Sequence, residues 1–284
     1  MAAPEPRPAS GPAPGLGYGA PVNARSFTRL TDAAATRDEA PVAEEVPVAF
    51  VYGTRAHVVM MCTPADLEDF GVGFTVTEAI AGAGDIARVD VVKYSRGIEL
   101  QIEIPAADAE RLSTRGRAIV GRTGCGLCGV EVIDEALREP RLVRSSMTFL
   151  RDALWRASES LGAQQPLNNE TNTIHASAWA SPDGTLVVVR EDVGRHNALD
   201  KVLGALIRAG TDASAGFLLV TSRASYELVQ KAAVANVPLL AAVSRPTALA
   251  VDLAEQSGIT LVGLLRGRTA NVYTHASRVT AETR

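Results

Sequence analysis

At 284 residues with 46% hydrophobic content, the chain carries enough apolar material for one large domain or two modest ones. A formal net charge of −4 argues against broad nucleic-acid or membrane-surface binding, so an anionic ligand would have to be met by local basic clusters. No apolar run approaches membrane-spanning length, the N-terminus lacks the apolar core of a signal peptide, and three cysteines are an odd number for a disulfide framework, so free thiols in a reducing cytoplasm are expected.

Residues 1–44 are rich in Pro, Ala, Gly and charge and poor in periodic apolar positions, which predicts a disordered tail. From Val46 the pattern changes. Val46–Tyr52 and His57–Cys62 flank Gly53-Thr54-Arg55 and read as a hairpin, which makes Cys62 a core residue. Thr63-Pro64 reads as the cap of a helix running through Phe70 and Phe74, with Pro64 in its first turn. Alternation of Ile98, Leu100, Ile102 and Ile104 marks a second hairpin over 88–104, and residues 45–120 together read as a small α+β subdomain.

Residues 121–131, Gly-Arg-Thr-Gly-Cys-Gly-Leu-Cys-Gly-Val-Glu, place two of the three cysteines as Cys-x-x-Cys among four glycines. The glycines leave the sulfurs of Cys125 and Cys128 uncovered, and Arg122, the loop N–H groups and a helix starting near Val130 would favour thiolate over thiol. A nucleophilic sulfur is the inference. Two other readings stay open. Half of a zinc site would need its remaining ligands from across a dimer, because the other cysteine is Cys62 and the four histidines are scattered. A thioredoxin-like dithiol normally lies early in a βαβ unit, whereas this motif comes late. Zinc-deaminase chemistry is excluded, since the chain has no His-x-Glu and its cysteines precede His175.

Residues 132–284 read as an α/β main domain. A helix at 148–161 stops at Gly162, and strands at 174–180 and 185–190 bracket Ser181-Pro182-Asp183-Gly184 as a hairpin. Helix 197–209, strand 216–221, helix 224–236, strand 238–243, helix 246–257 and strand 259–265 then alternate. The strands are apolar throughout, which predicts a parallel or mostly parallel sheet flanked by helices. Ligands of such sheets gather at the carboxyl ends of the strands. Those ends carry Glu191, Asp192, Gly194, Arg195 and His196, then Ser222, Arg223 and Ser225, then Ser244, Arg245 and Thr247, then Arg266 and Arg268. Arginine recurs on four successive turns, a pattern suited to phosphate oxygens and so to an anionic, nucleotide-like ligand. Individually the arginines could instead be solvated or paired with Glu191, Asp192 or Glu227. His196 reads either as a general base or as a polar residue satisfied by Asp192 and Asn197, and His175 reads as structural. His57 and His275 carry no separable signal.

Gly-Arg-Thr-Gly-Cys-Gly-x-Cys-Gly-Val-Glu, Glu-Asp-Val-Gly-Arg-His-x-Ala-Leu-Asp-Lys, Ser-Arg-Ala-Ser-Tyr-Glu-x-Val-Gln-Lys and the terminal Leu-Val-Gly…Gly-Arg…Tyr-Thr-His, in this order, resemble the formate dehydrogenase accessory sulfurtransferase family FdhD. The resemblance runs from about Glu44 to the C-terminus. It implies a homodimer with a cytidine-deaminase-like main domain that has lost the deaminase zinc chemistry. It also implies a sulfur relay, in which a cysteine desulfurase supplies sulfur that is passed to molybdenum bis(molybdopterin guanine dinucleotide), as formate dehydrogenase requires. Cys125 would carry the persulfide with Cys128 as companion, and the cofactor-binding stretch falls on Leu264, Leu265, Arg266, Gly267, Arg268 and Thr269, with GDP-like nucleotides as mimics. Arg195, Arg223 and Arg245 join that site from the strand-end argument. A non-catalytic cofactor chaperone with partner-gripping cysteines is the alternative, and a dimer held by a shared zinc is a third. Two departures stand out. The family's Thr-Gly-(Gly or Cys)-Thr-His-Ala-Ala is Thr171-Asn172-Thr173-Ile174-His175-Ala176-Ser177 here, which alters backbone freedom and bulk, and its Pro-Gly-Arg is Arg266-Gly267-Arg268.

Overall fold

The computed structural model describes residues 19–119 and 139–281. Residues 22–43, read from composition as part of a disordered tail, instead form an antiparallel ribbon of β1 (Val22–Leu30) and β2 (Ala35–Ala43). Local pairing holds it rather than apolar periodicity: the turn closes with the Thr31 N–H on the Ala34 carbonyl at 2.9 Å, and Arg29 meets Asp38 at 2.6 Å. Both faces of the ribbon stay largely exposed, so its hydropathy carries no strand signature.

Alternating burial builds the next sheet. In β3 (Val46–Tyr52), Val46, Val48, Phe50 and Tyr52 face inward and the intervening residues outward. β3 pairs antiparallel with β4 (Arg55–Cys62) and parallel with β6 (Gly97–Glu103), and β5 (Arg88–Tyr94) pairs antiparallel with β6. Both expected hairpins are present, joined into one four-stranded sheet of order β4-β3-β6-β5. Cys62 ends β4 fully buried, and burial pushes its thiol up to about 12, so it is a core residue and not a nucleophile. Helix α1 (Leu67–Thr77) covers the inner face, with Phe70 edge-on to Phe50 at 4.9 Å and Phe74 against Phe50 at 4.3 Å. It starts after Asp66, held at φ 52, so Pro64 is not in its first turn as expected. Helix α2 (Ala106–Ile119) follows β6.

After β7 (Phe149–Leu150), α3 (Arg151–Leu161) and α4 (Pro166–Thr171) come β8 (His175–Ala180) and β9 (Leu186–Asp192), then α5 (Arg195–Arg208), β10 (Phe217–Val220), α6 (Tyr226–Val234), β11 (Leu239–Ala242), α7 (Ala248–Ser257), β12 (Thr260–Arg266), β13 (Thr269–Val272) and β14 (Val279–Thr280). The fold is α/β as the alternating grammar requires, and its six-stranded sheet, of order β13-β12-β11-β10-β8-β9, is mixed. β10, β11 and β12 pair in parallel; β8 runs the opposite way between β10 and β9, so β9 shares their direction, and β13 turns back on β12 through a tight turn. The continuous apolar strands follow from two covered faces. Leu218 and Val220 join the core under α5, α6 and α7, whereas Phe217 and Leu219 pack with Leu154 and Leu161 of α3. Among the described residues no helix is long and apolar enough to cross a membrane.

The two sheets are joined by α1 against α5, where glycines bring the backbones together: a Cβ on Gly73 would strike the Asp200 carbonyl, and one on Gly204 would strike that of Asp69. Charge is buried in the same joint. Asp192, at the end of β9, accepts from Lys201 Nζ at 2.6 Å, Gly194 N–H at 2.7 Å, Asn197 Nδ2 at 2.9 Å and Thr63 N–H at 3.1 Å, with both charged side chains fully buried. Lys201 also donates to the Thr63 carbonyl at 2.9 Å, which explains why Thr63 is not a helix cap. One turn away, Lys231 meets Glu78 at 2.7 Å and Asp200 at 2.9 Å. Burial works against the Lys231 ammonium, but Asp200 and Glu78 outweigh it and hold its pKa above the ordinary lysine value.

Removing one member of such a pair strands a buried charge. Lys201→Ala is therefore expected to cost about 3–5 kcal/mol in chemical denaturation, while the double variant Asp192→Asn/Lys201→Met should recover a large part of that loss. A single variant as stable as the parent chain would show that the pair contributes nothing.

Candidate functional site

Strand direction decides which turns share an edge. β9, β10, β11 and β12 all run the same way, because β9 reverses relative to β8 and β8 relative to β10. The turns that follow them, bearing Arg195, Arg223, Arg245, Arg266 and Arg268, therefore lie along one edge of the sheet, as the strand-end argument requires. The start of β8, with His175, falls on the same edge. Neighbouring turns are hydrogen-bonded to each other: Thr221 N–H reaches the Ala176 carbonyl at 3.0 Å, Val243 N–H the Val220 carbonyl at 3.0 Å and Thr247 N–H the Ala224 carbonyl at 3.1 Å.

Local backbone geometry shapes the end of β12. Leu264 sits at φ 53 in a bulge between Gly263 and Arg266, a conformation that an L side chain adopts only where its surroundings impose it. The Leu264 N–H is tied to the Ser244 carbonyl at 3.1 Å, and a Cβ on Gly263 would press on Pro246, so the bulge is locked against the neighbouring turn. Beyond it Arg266 donates from Nε to the Val243 carbonyl at 3.1 Å. Gly267, at φ 54, opens the two-residue turn into β13, where Arg268 is exposed and Thr269 bonds the Arg266 carbonyl at 3.0 Å. Leu265 is fully buried and anchors the stretch in the core. Nothing in the sequence signals a left-handed leucine.

The acidic residues do not consume the arginines. Glu191 caps α4 instead, accepting from Leu167 N–H at 2.9 Å and Asn168 N–H at 2.8 Å, and Asp192 belongs to Lys201. Among the described residues Arg268 has only an exposed contact, with Asp152 at 3.5 Å. Arg195 is half-buried and its Nε has no hydrogen-bond partner among the described residues. The hydroxyls are less available than expected, since Thr247 Oγ1 is spent capping α7 at Ala250 N–H.

The turn before β8 ends α4 in the left-handed region. Asn172, where the resembled family has glycine, adopts φ 56, a region asparagine tolerates better than other side chains. Ile174 is buried, with its N–H on Asn168 Oδ1 at 3.1 Å.

His196 contacts neither Asp192 nor Asn197. Its Nε2 faces Ser225 Oγ at 3.3 Å and Glu227 at 3.7 Å. Burial, then the Arg195 charge, pulls its pKa down to about 4, with Lys231 adding to the shift and Glu227 and Glu78 opposing it. Burial and Arg195 also lower His175, against Asp192. At neutral pH both imidazoles are uncharged, so the positive charge of this edge is arginine's. Among the described residues no group of three or more His, Cys, Asp and Glu is placed to hold a metal ion. Cys125, Cys128 and Arg122 lie outside the described residues.

A histidine depressed in the folded state makes stability fall with acid. Between the ordinary value of 6.5 and about 4 the unfolded chain takes up a proton that native His196 refuses, so stability should decline over that window and be unaffected above it. The His196 ring resonances are expected to titrate near pH 4, and His196→Gln should flatten the fall in denaturation midpoint between pH 6.5 and 4.5. An imidazole that titrates at its ordinary value would contradict the buried placement.

The chain matches the FdhD/NarQ family over residues 43–280. It is 52% identical over 239 residues to the "Sulfur carrier protein FdhD" of Xanthomonas euvesicatoria pv. vesicatoria, covering 84% of this chain and 85% of that one. The protein of the same name from Cupriavidus necator is 50% identical over 242 residues, covering 85% of this chain and 84% of that one. A crystal structure from Desulfotalea psychrophila, described as a formate dehydrogenase accessory protein, superposes with a TM-score of 0.73 at 23% identity over 91% of this chain and 99% of that one, and so shares the fold. With a family match over residues 43–280, a span that includes the Cys-x-x-Cys segment and the arginine-bearing turns, the chain belongs to the FdhD/NarQ family.

Proposed function

We propose that the chain is a cytoplasmic, homodimeric sulfur carrier and sulfurtransferase that accepts persulfide sulfur from a cysteine desulfurase and passes it to molybdenum bis(molybdopterin guanine dinucleotide) on behalf of formate dehydrogenase. The relatives' names support the sulfur-carrying part of this reading. The observation that carries the ligand is the set of arginines on one sheet edge, beside a strained bulge in the stretch Leu264–Thr269. Guanidinium forks there suit the phosphates of a guanine dinucleotide, and they stay charged at any working pH.

The sulfur step is an exchange between thiolates. The Cys125 thiolate attacks the terminal sulfur of the donor's persulfide, a new S–S bond forms on Cys125, the donor's S–S bond breaks, and the donor leaves as thiolate. Release balances if the Cys128 thiolate then attacks Cys125 sulfur: a disulfide forms and the terminal sulfur departs with the electron pair, as sulfide, toward the metal centre. Arg266 and Arg268, with Arg195, Arg223 and Arg245, hold and orient the acceptor by its phosphates and take no part in bond making.

Incubation with a cysteine desulfurase and cysteine should add a reducible sulfur to the chain by intact mass, and Cys125→Ala should abolish it. Persistence of the adduct in Cys125→Ala, with its loss in Cys128→Ala, would reverse the two roles, and no adduct on any form would leave the non-catalytic chaperone. Replacing both Arg266 and Arg268 by Ala removes charge-assisted hydrogen bonds worth about 1.5–3 kcal/mol each, so GDP should bind at least tenfold more weakly by calorimetry while sulfur loading persists. Unchanged GDP affinity in that variant would refute the arginine edge as the ligand site.

A further inference from the structure

We propose that Glu227 reads the base of the nucleotide whose phosphates the arginine edge holds, accepting from the two adjacent N–H donors of guanine and so selecting guanine over adenine and hypoxanthine. The inference rests on the arginine edge as the phosphate site and adds a base-reading carboxylate to it.

Glu191 and Asp192 are committed elsewhere, but Glu227 is not. It lies in the first turn of α6, directly after the turn that carries Arg223 and Ser225, and its side chain is 56% exposed. Among the described residues its one partner at ion-pair distance is His196, at 3.7 Å and uncharged at neutral pH. Ser225 anchors it. His196 Nε2 lies 3.3 Å from Ser225 Oγ, and the Ser225 hydroxyl donates to the Glu227 carboxylate, so a chain of hydrogen bonds from the start of α5 ends on an oriented acceptor. Burial works against the charge of Glu227, but its own N–H, the Ser225 hydroxyl, His196 and Arg195 outweigh it and hold the carboxyl below the ordinary glutamate value.

An ionised carboxylate in a row of guanidiniums repels a ligand that is phosphate alone. It strengthens binding only of a ligand that brings N–H donors along with its phosphates, because a carboxylate can only accept. Among the common purines guanine alone offers one carboxylate two adjacent donors, N1–H and the 2-amino group. Adenine has an acceptor at N1, and hypoxanthine lacks the amino group. The spacing agrees: β10 and β12 are two interstrand steps apart, roughly 10 Å, a distance that an extended nucleoside diphosphate spans from base edge to terminal phosphate with Arg266 and Arg268 on the phosphate.

Calorimetric titration of the full chain with GDP, IDP, ADP and XDP tests this. Hydrogen bonds to a charged group are the strong ones, so IDP should bind at least about fivefold and ADP at least about tenfold more weakly than GDP. Glu227→Gln should weaken GDP at least about fivefold, leave ADP within about twofold, and strengthen XDP, whose 2-carbonyl can accept from the amide. A gain for XDP is something that damage to the fold does not produce. A parent chain indifferent among GDP, IDP and ADP would overturn the proposal and leave the phosphate site standing, as would a Glu227→Gln variant that keeps the parent's preference for GDP. Loss of ADP together with GDP in that variant would mark Glu227 as structural and overturn it too. A parent chain that binds no GDP would remove both the base reading and the phosphate site.

Discussion

The rest of the molecule depends on neutralising one carboxylate where it sits. Asp192 is wholly buried at the end of β9, and its acceptor sites are met by Lys201 and Asn197 of α5, by the Gly194 N–H that leads into α5, and by the Thr63 N–H that follows β4. Two of these partners come from the helix and one from the other sheet, so satisfying the charge also fixes how the four-stranded sheet stands against the six-stranded one. Both buried ammoniums of the joint lie over aromatic faces of α1, Lys201 at 5.7 Å from the Phe70 ring and Lys231 at 5.4 Å from Phe74. A joint of this kind is specific rather than strong, since a well-packed apolar replacement of the pair would be no less stable.

From that joint the arginine edge follows geometrically. Once the end of β9 is pinned, Arg195 must open α5 at the same sheet edge from which β10, β11 and β12 deliver Arg223, Arg245 and Arg266. Neighbouring strands lie about 4.8 Å apart, so the four interstrand steps from β12 to β9 spread these arginines over roughly 19 Å. That span suits an extended polyanion with several phosphates better than a single phosphate ion. The bulge at Leu264 adds to it by bending the end of β12 toward β11, which brings Arg266 onto the Val243 carbonyl.

Much of this was legible in the sequence, and what was not has physical reasons. Apolar runs separated by helical periods mark β10 to β12 and their helices correctly, because burial on both faces leaves an unambiguous pattern. Strand direction is a different matter: β8, β9 and β13 read as apolar segments whichever way they run, so a mixed sheet looks parallel. The ribbon of β1 and β2 escaped because its stability comes from ladder bonds and the Arg29–Asp38 and Arg25–Glu44 pairs, and composition rich in Pro, Ala and charge hides those. Thr63 looked like a helix cap, yet its backbone and hydroxyl are committed across the joint, the hydroxyl to Val193 N–H at 3.1 Å, which no local rule can foresee. At Asn172 the residue type was informative, since asparagine is the side chain best suited to replace a left-handed glycine.

The segment Glu191–Lys201 shows why a motif is not a site. Read along the chain it is one dense cluster of charge and histidine, and all of it could pass for catalytic. In space it divides. Glu191 caps α4, Asp192, Asn197 and Lys201 close the joint, and Asp200 holds Lys231 with Thr77. Only Arg195 and His196 remain for the edge, one with a buried donor that no described residue satisfies, the other kept uncharged beside it. Loss of function on changing Asp192 or Lys201 would therefore report first on the docking of two sheets, and only through that docking on the ligand. Arg195 differs: its charge lowers His175 and His196 beside it, but its Nε meets no hydrogen-bond partner among the described residues, so a change there reports on the edge rather than on the docking of the sheets.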